Sequence, residues 1–384
     1  MRIALVCSEV IRESGHGRYM LELARRLARE HEVHVYSHLY QPVPGVTHHP
    51  VPAPLGINLL RVFAFFLASS LRLGRARYDI VHTIGGCAIR RDVVTAQFCQ
   101  RAWARELHRG GGGAPARGLM GRLRRAYHEI YWRACDWLEA PAFKTGPGKR
   151  LIAVSGGVRE ELAQDYGADP AEVAVVYNGV EPADFADERL APLREETRAR
   201  LGFAPEETVL LFVGDFYRKG LLTVLEALGR SATRPRLLVV GRGEAAAFAE
   251  RAKALGLEGV VFAGFQPDVV PYYAAADAFV FPTRYEPFGM VVTEAMAAGL
   301  PVVTSRQAGA SEVIAPGVDG LVIDDALDAS ALAAAIDQLV ADPEARKRMG
   351  EAARRKAETV DWDYVARETI KVYEALLAER KEPA

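Results

Sequence analysis

Residues 276–303 read ADAFVFPTRYEPFGMVVTEAMAAGLPVV, and this stretch decides how the second half of the chain folds. Its apolar beginning predicts a buried strand that ends at Phe281, and an extended loop with two prolines follows. Gly289 then opens a helix that stops at Gly299, before a second apolar run begins. A strand, a loop, a helix and another strand in this order are typical of a parallel sheet with helical crossovers.

The same alternation of short apolar runs and amphipathic helices extends over almost the whole chain. The helix predicted over Gly17–Glu30, with its apolar residues at core spacing, is one example. The runs predicted as strands are Ile3–Cys7, Glu32–Tyr36, Ile80–Thr83, Val93–Ala96, Leu151–Val154, Val173–Val176, Val209–Val213, Arg236–Val240, Val260–Phe262, Ala278–Phe281, Pro301–Thr304 and Leu321–Ile323. The pattern restarts near residue 205, so the 384 residues predict an α/β protein of two doubly wound domains.

Composition narrows the class of protein. Half of the residues are hydrophobic and a quarter are charged, as in a soluble globular protein. The four cysteines lie far apart with no CxxC pair, which excludes a disulfide scaffold or zinc knuckle and favours a reducing compartment.

Neither a signal peptide nor a membrane span is predicted. The first apolar run is too short for a signal peptide. The segment Ile57–Leu73 carries Arg61 and Arg72 and is shorter than the roughly 20 residues that cross a bilayer, so we predict a buried core helix.

The net charge of −1 hides two oppositely charged portions of the chain. Residues 1–150 contain 23 Lys and Arg against 11 Asp and Glu, a balance of +12, so the remainder carries −13. A basic first portion fits an anionic partner, which could be phospholipid, phosphorylated glycan or nucleic acid.

Two carboxylates flank the start of the helix that Gly289 opens. Glu286 precedes it and Glu294 lies in its second turn, while the unpaired amides of the first turn can hold a diphosphate. Two carboxylates beside an anion site are unfavourable unless each accepts hydrogen bonds from hydroxyl groups. A nucleotide sugar offers such hydroxyls on its ribose and on its hexose. The alternative is that Glu286 caps the helix and Glu294 is a surface residue.

The spacing Glu286-x7-Glu294, with Pro287-Phe288-Gly289, resembles the nucleotide-sugar motif of the retaining family-4 glycosyltransferases, which have the GT-B fold. The resemblance implies that Glu286 contacts the transferred sugar and Glu294 the ribose. It continues in the family's order through four further motifs and covers nearly all of residues 205–325. These motifs are Gly214–Gly220, Val240–Gly243, Gly264–Asp268 and Gly309–Glu312.

The resemblance implies a donor site without a metal or cofactor, which takes a nucleoside-diphosphate sugar, UDP- or GDP-hexose. The residues expected to bind the donor are Gly15, Gly17, Gly214, Phe265, Glu286, Phe288, Gly289, Met290, Val291 and Glu294. Arg218 and Lys219, which follow the first strand of the second domain, are expected to act with Glu286 in catalysis. They would neutralise the diphosphate as charge develops on the leaving oxygen. The alternative for this pair is an exposed basic turn.

Residues on the acceptor side come from the first domain. The glycine-rich loop that contains His16 joins its first strand to its first helix. Many relatives have a histidine after the fourth strand, where this chain has Gln97, which can hydrogen-bond a sugar but cannot take a proton. His82 is predicted to be structural. Asp361-Trp362-Asp363 looks like a metal-binding DxD, but we interpret Asp363 as a helix N-cap beside a packed Trp362.

A basic segment, Arg101–Arg133, contains eight arginines against two glutamates, with aromatic and aliphatic residues between them. This pattern suits an anionic membrane surface, with Arg122, Arg124 and Arg125 as contacts. The alternative is a solvated basic helix pair that packs on its own domain. No recognisable nucleic-acid-binding module accompanies the charge. The glycine run 110–113 is predicted to be a mobile loop.

The expected architecture is GT-B, with two Rossmann-like domains that face each other across a cleft. Residues 1–180 would form the acceptor-side domain, residues 181–362 the nucleotide-sugar domain, and residues 363–384 a helix that returns to the first. The expected enzyme is a retaining, metal-independent hexosyltransferase that modifies a glycan or lipid-linked acceptor of the cell envelope, as in lipopolysaccharide synthesis. Its expected location is cytoplasmic, or peripheral on the inner face of the membrane. The alternatives are a non-hydrolysing sugar-nucleotide epimerase and a non-catalytic sugar-nucleotide-binding protein.

Overall fold

The computed structural model describes residues 1–53, 58–74, 76–106 and 118–381, except for the side chains of residues 118–120, 122, 124 and 125. It divides into two compact units, each built around one parallel sheet. Unit 1 comprises Met1–Arg105, Ala114–Asn178 and Trp362–Ala384, and unit 2 consists mainly of Gly179–Asp361. The predicted glycine loop 110–113 lies outside the described residues.

Unit 1 contains a seven-stranded sheet and a separate pair of short strands. Its strands are β1 Arg2–Val6, β2 Glu9–Val10, β3 Glu32–Ser37, β4 Leu39–Tyr40, β5 Val46–Pro50, β6 Ile80–Ile84, β7 Val93–Ala96, β8 Arg150–Ala153 and β9 Val173–Val175. The sheet has the order β5-β3-β1-β6-β7-β8-β9, and β2 pairs with β4. This order reverses direction beside β1, which is the feature of doubly wound sheets that places ligands at the carboxyl ends of the strands.

The helices of unit 1 include one that comes from the end of the chain. They are α1 Gly15–Leu27, α2 Asn58–Leu73, α3 Gln100–Glu106, α4 Gly118–Glu139, α5 Gly156–Tyr166 and, after unit 2, α13 Trp362–Glu379. Trp362 is fully buried against Tyr19 of α1. The side chain of Arg380, which follows α13, donates to Asp92 at the start of β7. The terminal helix is therefore part of the first unit's core.

Unit 2 contains a six-stranded parallel sheet in the order β12-β11-β10-β13-β14-β15. Its strands are β10 Val209–Asp215, β11 Arg236–Arg242, β12 Val260–Gly264, β13 Ala278–Phe281, β14 Val302–Ser305 and β15 Gly320–Ile323. Its helices are α6 Asp187–Leu201, α7 Leu221–Arg230, α8 Ala245–Ala254, α9 Val270–Ala275, α10 Met290–Ala297, α11 Ala329–Ala341 and α12 Pro343–Ala357. Gly214 and Gly241 lie side by side on β10 and β11, and a Cβ at Gly241 would overlap the Gly214 carbonyl. Only glycine lets these two strands end so close together.

Every strand predicted from the apolar runs is present, with ends shifted by no more than two residues, and the two doubly wound units are confirmed. The prediction missed β2, β4 and β5. The sequence of β5, VTHHP, has no apolar run, because an edge strand needs only one neighbour and keeps part of its surface in water. His48 and His49 of β5 instead stack on Tyr40 and Tyr36.

Two local predictions were wrong. The helix predicted as a buried core element is α2, which buries Phe65 and Ser69 but leaves Leu67 and Leu71 about 60% exposed. Its apolar residues surround the helix, whereas only one side of it faces its own unit.

The second wrong prediction concerns Asp363, which does not cap α13 because the helix already begins at Trp362. The Asp363 carboxylate instead accepts hydrogen bonds from Arg26 and Arg29 of the α1 region. None of the described helices is both long and apolar enough to cross a bilayer.

His82, on the central strand β6, is structural as predicted. It is fully buried, and its two ring nitrogens lie 2.6 Å from the Tyr373 hydroxyl and 2.7 Å from the Thr95 hydroxyl. Burial lowers the pKa of His82 to about 3, so the ring is neutral at physiological pH. A neutral imidazole needs one donor and one acceptor as neighbours, and the two hydroxyls supply both roles.

We expect Tyr373→Phe to destabilise unit 1 by about 1–3 kcal/mol, because it leaves one buried nitrogen of His82 without a partner. The thermal unfolding midpoint should fall by about 2–4 °C for each kcal/mol. Glu374→Gln, on the exposed side of the same helix, is the matched control and should leave the midpoint unchanged. Equal midpoints for Tyr373→Phe and the parent would show that the hydroxyl does not hold His82.

Candidate active site

The carboxyl edge of the unit 2 sheet brings two chain segments together. The turn Phe216–Gly220 follows β10, and the loop Pro282–Gly289 follows β13, its neighbour in the sheet. A Cβ at Gly220, where φ is 84°, would overlap the Pro282 carbonyl. The glycine therefore allows the turn and the loop to pack directly on each other, which places their side chains in one site.

Lys219 and Glu286, one from each segment, form an ion pair. Lys219 is 8% exposed, and its ammonium lies 5.5 Å from the centre of the Phe281 ring. Burial and the neighbouring Arg218 lower the pKa of Lys219, and the carboxylate of Asp215 opposes that shift. Lys219 is thus no exposed basic turn, although Arg218 beside it is half exposed.

Glu294 lies on α10 and is 6% exposed, so it is not a surface residue. The hydroxyl of Tyr273, on α9, donates to Glu294 Oε2 at 2.9 Å. A buried carboxylate held by a neighbouring hydroxyl keeps a defined orientation for further hydrogen bonds. The sequence analysis missed Tyr273, since nothing in the sequence of α9 shows that it faces α10.

The loop before α10 is held by the segment that follows β14. Gly309 N donates to the Glu286 carbonyl at 2.9 Å, and Ala310 N donates to the Phe288 carbonyl at 2.7 Å. Phe288 is buried, and Gly289 has a φ of 97° that favours glycine. Gly289, at the N-cap of α10, has no side chain with which to cap the first turn of the helix. The backbone amides at this helix start are therefore fixed in position and open to an anion.

The remaining donor-side predictions fall at the same edge of the sheet. A Cβ on Gly214 would lie 2.8 Å from Lys219 Cγ, so this glycine makes room for the lysine. Met290 and Val291 are half-buried at the start of α10. Phe265 follows β12 and is 55% exposed, with the Arg242 guanidinium 4.0 Å above its ring.

The glycine-rich loop of unit 1 has a packing role. Gly15 begins α1 and is exposed, whereas Gly17 is buried, and a Cβ there would lie 2.9 Å from the carbonyls of Glu9 and Ile11. Gly17 therefore lets α1 approach β2. His16 lies between Gly15 and Gly17 in the chain, and its Nε2 is 4.0 Å from Glu9 Oε2. Burial lowers the pKa of His16.

His16 and Gln97 both line a cavity of about 360 Å³ within unit 1. Gln97 exchanges two hydrogen bonds with the buried amide of Asn178, at 2.9 and 3.0 Å. This reciprocal pairing fixes the orientation of the Gln97 amide. The local sequence does not predict this contact, because Gln97 and Asn178 are 81 residues apart in the chain.

The basic segment is partly neutralised. Arg101 pairs with Asp136, Arg105 with Asp165, and Arg133 with Glu129. The side chains of Arg122, Arg124 and Arg125 lie on α4 but outside the described residues. Within the described part of the chain, no three His, Cys, Asp or Glu side chains are grouped as a metal site would require.

Two doubly wound α/β units, one of which carries paired charges and an uncapped helix start at the carboxyl edge of its sheet, define a glycosyltransferase of the GT-B fold. The family profile described as "Glycosyltransferase Family 4" matches residues 14–184, and the one described as "Glycosyl transferases group 1" matches residues 194–356. The chain belongs to the family-4 glycosyltransferases, as the sequence motifs predicted.

Individual relatives agree with this assignment. The glycogen synthase of Mycobacterium tuberculosis (strain H37Rv) is 30% identical over 316 residues, which cover 80% of this chain and 71% of that protein. The crystal structure of WaaG, a glycosyltransferase involved in lipopolysaccharide biosynthesis, superposes with a TM-score of 0.74 at 24% identity, over 96% of this chain and 99% of WaaG. Anabaena HepE in complex with UDP-glucose has a TM-score of 0.68 at 20% identity, over 98% and 100%.

Proposed function

We propose that this glycosyltransferase moves a hexose, with retention of anomeric configuration, from a nucleoside-diphosphate sugar to a hydroxyl of a cell-envelope glycan or glycolipid. The observation that carries the proposal is the Lys219–Glu286 ion pair beside the open start of α10. It supplies a cation for a diphosphate and a carboxylate for sugar hydroxyls at one place.

The donor would bind along the carboxyl edge of the unit 2 sheet. Its diphosphate would lie at the first-turn amides of α10, with Arg218 and Lys219 as counter-charges. Glu294, oriented by Tyr273, would accept hydrogen bonds from the ribose hydroxyls. When the diphosphate pairs with Lys219 in place of Glu286, the Glu286 carboxylate can accept hydrogen bonds from the hexose hydroxyls. The ion pair therefore keeps both charges neutralised until the donor replaces it.

In the transfer step, the bond between the anomeric carbon and the diphosphate oxygen breaks, and the acceptor oxygen bonds to the same face of that carbon. The acceptor's proton passes to the departing phosphate oxygen, so no side-chain base is needed. Gln97, which cannot take a proton, is compatible with this route. Arg218, Lys219 and the helix amides would stabilise the charge that develops on the leaving oxygen.

We propose UDP- or GDP-hexose as the donor class, and the UDP-glucose complex of Anabaena HepE, which shares the fold, supports a nucleotide sugar. The nucleotide and the hexose can be determined by measuring which UDP-, GDP- or ADP-sugar stabilises the protein against heat, since a bound donor raises stability by mass action.

We expect Glu294→Ala to weaken donor binding by about 1–3 kcal/mol, which is roughly 5- to 150-fold in Kd, because the ribose loses its charged acceptor. Glu286→Gln should lower kcat more than it changes donor Kd. Calorimetric titration with the donor and steady-state kinetics would measure the two effects. Glu250→Ala, an exposed position on α8, is the control with the same change of charge.

If Glu294→Ala bound and turned over the donor like the parent, the ribose assignment would be wrong. If Glu286→Gln instead lost donor affinity without loss of kcat, this residue would belong to donor binding alone.

The second proposal about the reaction is that it needs no divalent metal, because two cationic side chains and the start of α10 would counter the diphosphate. The transfer rate should be unchanged after exhaustive treatment with EDTA, and added Mn²⁺ or Mg²⁺ should not raise it more than about twofold. A strict requirement for either ion would contradict this model of the site.

We also propose that unit 1 binds an anionic membrane surface, where lipid-linked acceptors are found. Large apolar side chains are exposed on both of its amphipathic helices, Leu60, Leu67 and Leu71 on α2 and Leu123, Tyr127, Ile130 and Trp137 on α4. Phe63 and Trp137 are in contact, which joins the two helices. Exposed apolar side chains on adjoining helices, one of which carries arginines of the basic segment, are typical of an interfacial surface.

We expect the protein to co-sediment with vesicles that contain anionic phospholipid but not with zwitterionic vesicles, and the bound fraction to fall as salt rises. Replacing Arg122, Arg124 and Arg125 with Gln should reduce binding, since each basic residue near such a surface contributes about 1 kcal/mol. The exposed residues Lys347, Arg348 and Arg355 of α12, replaced in the same way, are the control. Equal binding to both vesicle types, or none, would contradict the proposal.

A further inference from the structure

The cavity of unit 1 lies at the carboxyl edge of its sheet, where β1, β6 and β7 end. Its volume of about 360 Å³ is within the range of small-molecule pockets. Much of its lining is apolar, as supplied by Phe65, Phe98, Leu138 and Phe143. The last residue of α4, Glu139, also lines it. The cavity thus combines apolar walls with charged and polar side chains, which include Glu9, His16 and Arg61 as well as Glu139.

Two oxygens beside this cavity lack hydrogen bonds. Glu139 Oε2 and Gln100 Oε1 are shielded from solvent, and neither has a partner among the described residues. Burial raises the pKa of Glu139 to about 8, and a hydrogen bond with the Gln100 side chain opposes that shift. Leaving buried polar groups unpaired costs stability, so such groups in a native protein require an explanation.

The position of Glu139 is determined by the turn that follows β6. A Cβ on Gly86 would overlap the Leu138 carbonyl, and a Cβ on Gly85, where φ is 52°, would lie 3.3 Å from Glu139 Oε1. Glycines at both positions let the end of α4 lie directly on this turn. The terminal torsion of a glutamate is soft, so a small rotation presents Oε2 to the cavity.

The chemistry of the lining limits what can bind. The raised pKa of Glu139 leaves its carboxyl group largely protonated at neutral pH, so it can donate as well as accept a hydrogen bond. The aromatic and aliphatic walls suit the C–H faces of a ring. Cys7, Cys87 and Cys135 also line the cavity, and burial raises the pKa of each thiol, so these groups are protonated and uncharged. A pyranose ring, with several hydroxyls on an apolar frame, satisfies these conditions.

We propose that this cavity binds a sugar ring of the acceptor, and that Glu139 and Gln100 determine acceptor specificity through hydrogen bonds with its hydroxyls. This inference rests on the proposed function, because it takes unit 1 as the acceptor side of a sugar transferase.

The test compares parent, Glu139→Gln and Glu139→Leu as full-length proteins with octyl glucoside, octyl galactoside, octyl mannoside and their monodeoxy derivatives. Binding is followed by saturation-transfer NMR and transfer by release of nucleoside diphosphate. For the preferred glycoside, Glu139→Leu should raise the acceptor KM at least tenfold and leave the donor KM unchanged. The monodeoxy probe that lacks the hydroxyl bound by Glu139 should not distinguish the parent from Glu139→Leu.

Stability separates a binding role from a structural one. The parent buries one oxygen of Glu139 without a partner but also has a hydrogen bond between Glu139 and Gln100, so Glu139→Leu should change the thermal midpoint little in the absence of acceptor. A residue whose role is structural would instead lower it when replaced. Glu129→Leu, at an exposed position on the same helix, is the matched control and should leave the acceptor KM unchanged.

The outcomes distinguish the inference from the proposed function. The inference is wrong if Glu139→Leu keeps the parent's acceptor KM, if every monodeoxy probe responds alike, or if the parent neither binds nor transfers any of the neutral glycosides. In each of these cases a nucleotide sugar that still stabilises the parent against heat would leave the donor proposal intact. Absence of that stabilisation for every nucleotide sugar would contradict the proposed function itself.

Discussion

The ion pair between Lys219 and Glu286 is the interaction on which the donor side of this molecule depends. A largely buried ammonium is costly unless an opposite charge lies beside it, so the turn after β10 and the loop after β13 must stay in contact. That contact in turn requires adjacent parallel strands and a glycine at position 220. The order of the strands, the glycine at position 220 and the ion pair therefore depend on one another. The same constraint sets the start of α10 beside the pair, where a diphosphate would be bound.

The carboxyl groups at the carboxyl edges of the two sheets differ in whether they have partners within the protein. In unit 2 the carboxylates of Glu286 and Glu294 have partners within the protein, a lysine and a tyrosine hydroxyl. In unit 1 an oxygen of Glu139 has none among the described residues. Satisfied groups keep a site in a defined geometry before its ligand arrives, whereas an unsatisfied one gains most when a ligand supplies the missing donor. This difference would suit the proposed donor site, which holds charge, and the proposed acceptor site, which recognises hydroxyls.

Unit 1 combines a rigid centre with an apolar surface. Its final helix, α13, contributes Tyr373 to the fully buried pairing of His82, so the end of the chain is part of the core. On the surface, α2 and α4 expose aliphatic and aromatic side chains that a helix confined to the core would bury. Several arginines of the basic segment are paired with acids of the same unit. These pairs reduce the number of arginines in the segment that could contact an anionic surface.

The sequence alone determined the strands of both sheets except the edge strand β5, because buried parallel strands read as short apolar runs. It also determined the doubly wound class and the family, since the Glu286–Glu294 spacing is local to one loop and helix. Only the tertiary structure decided that Lys219 pairs with Glu286, that Tyr273 orients Glu294 and that Gln97 is held by Asn178, since each contact joins residues far apart in the chain. It also decided which side of α2 is exposed. Apolar periodicity reports how a helix could be buried, whereas the neighbours that bury it come from other parts of the fold.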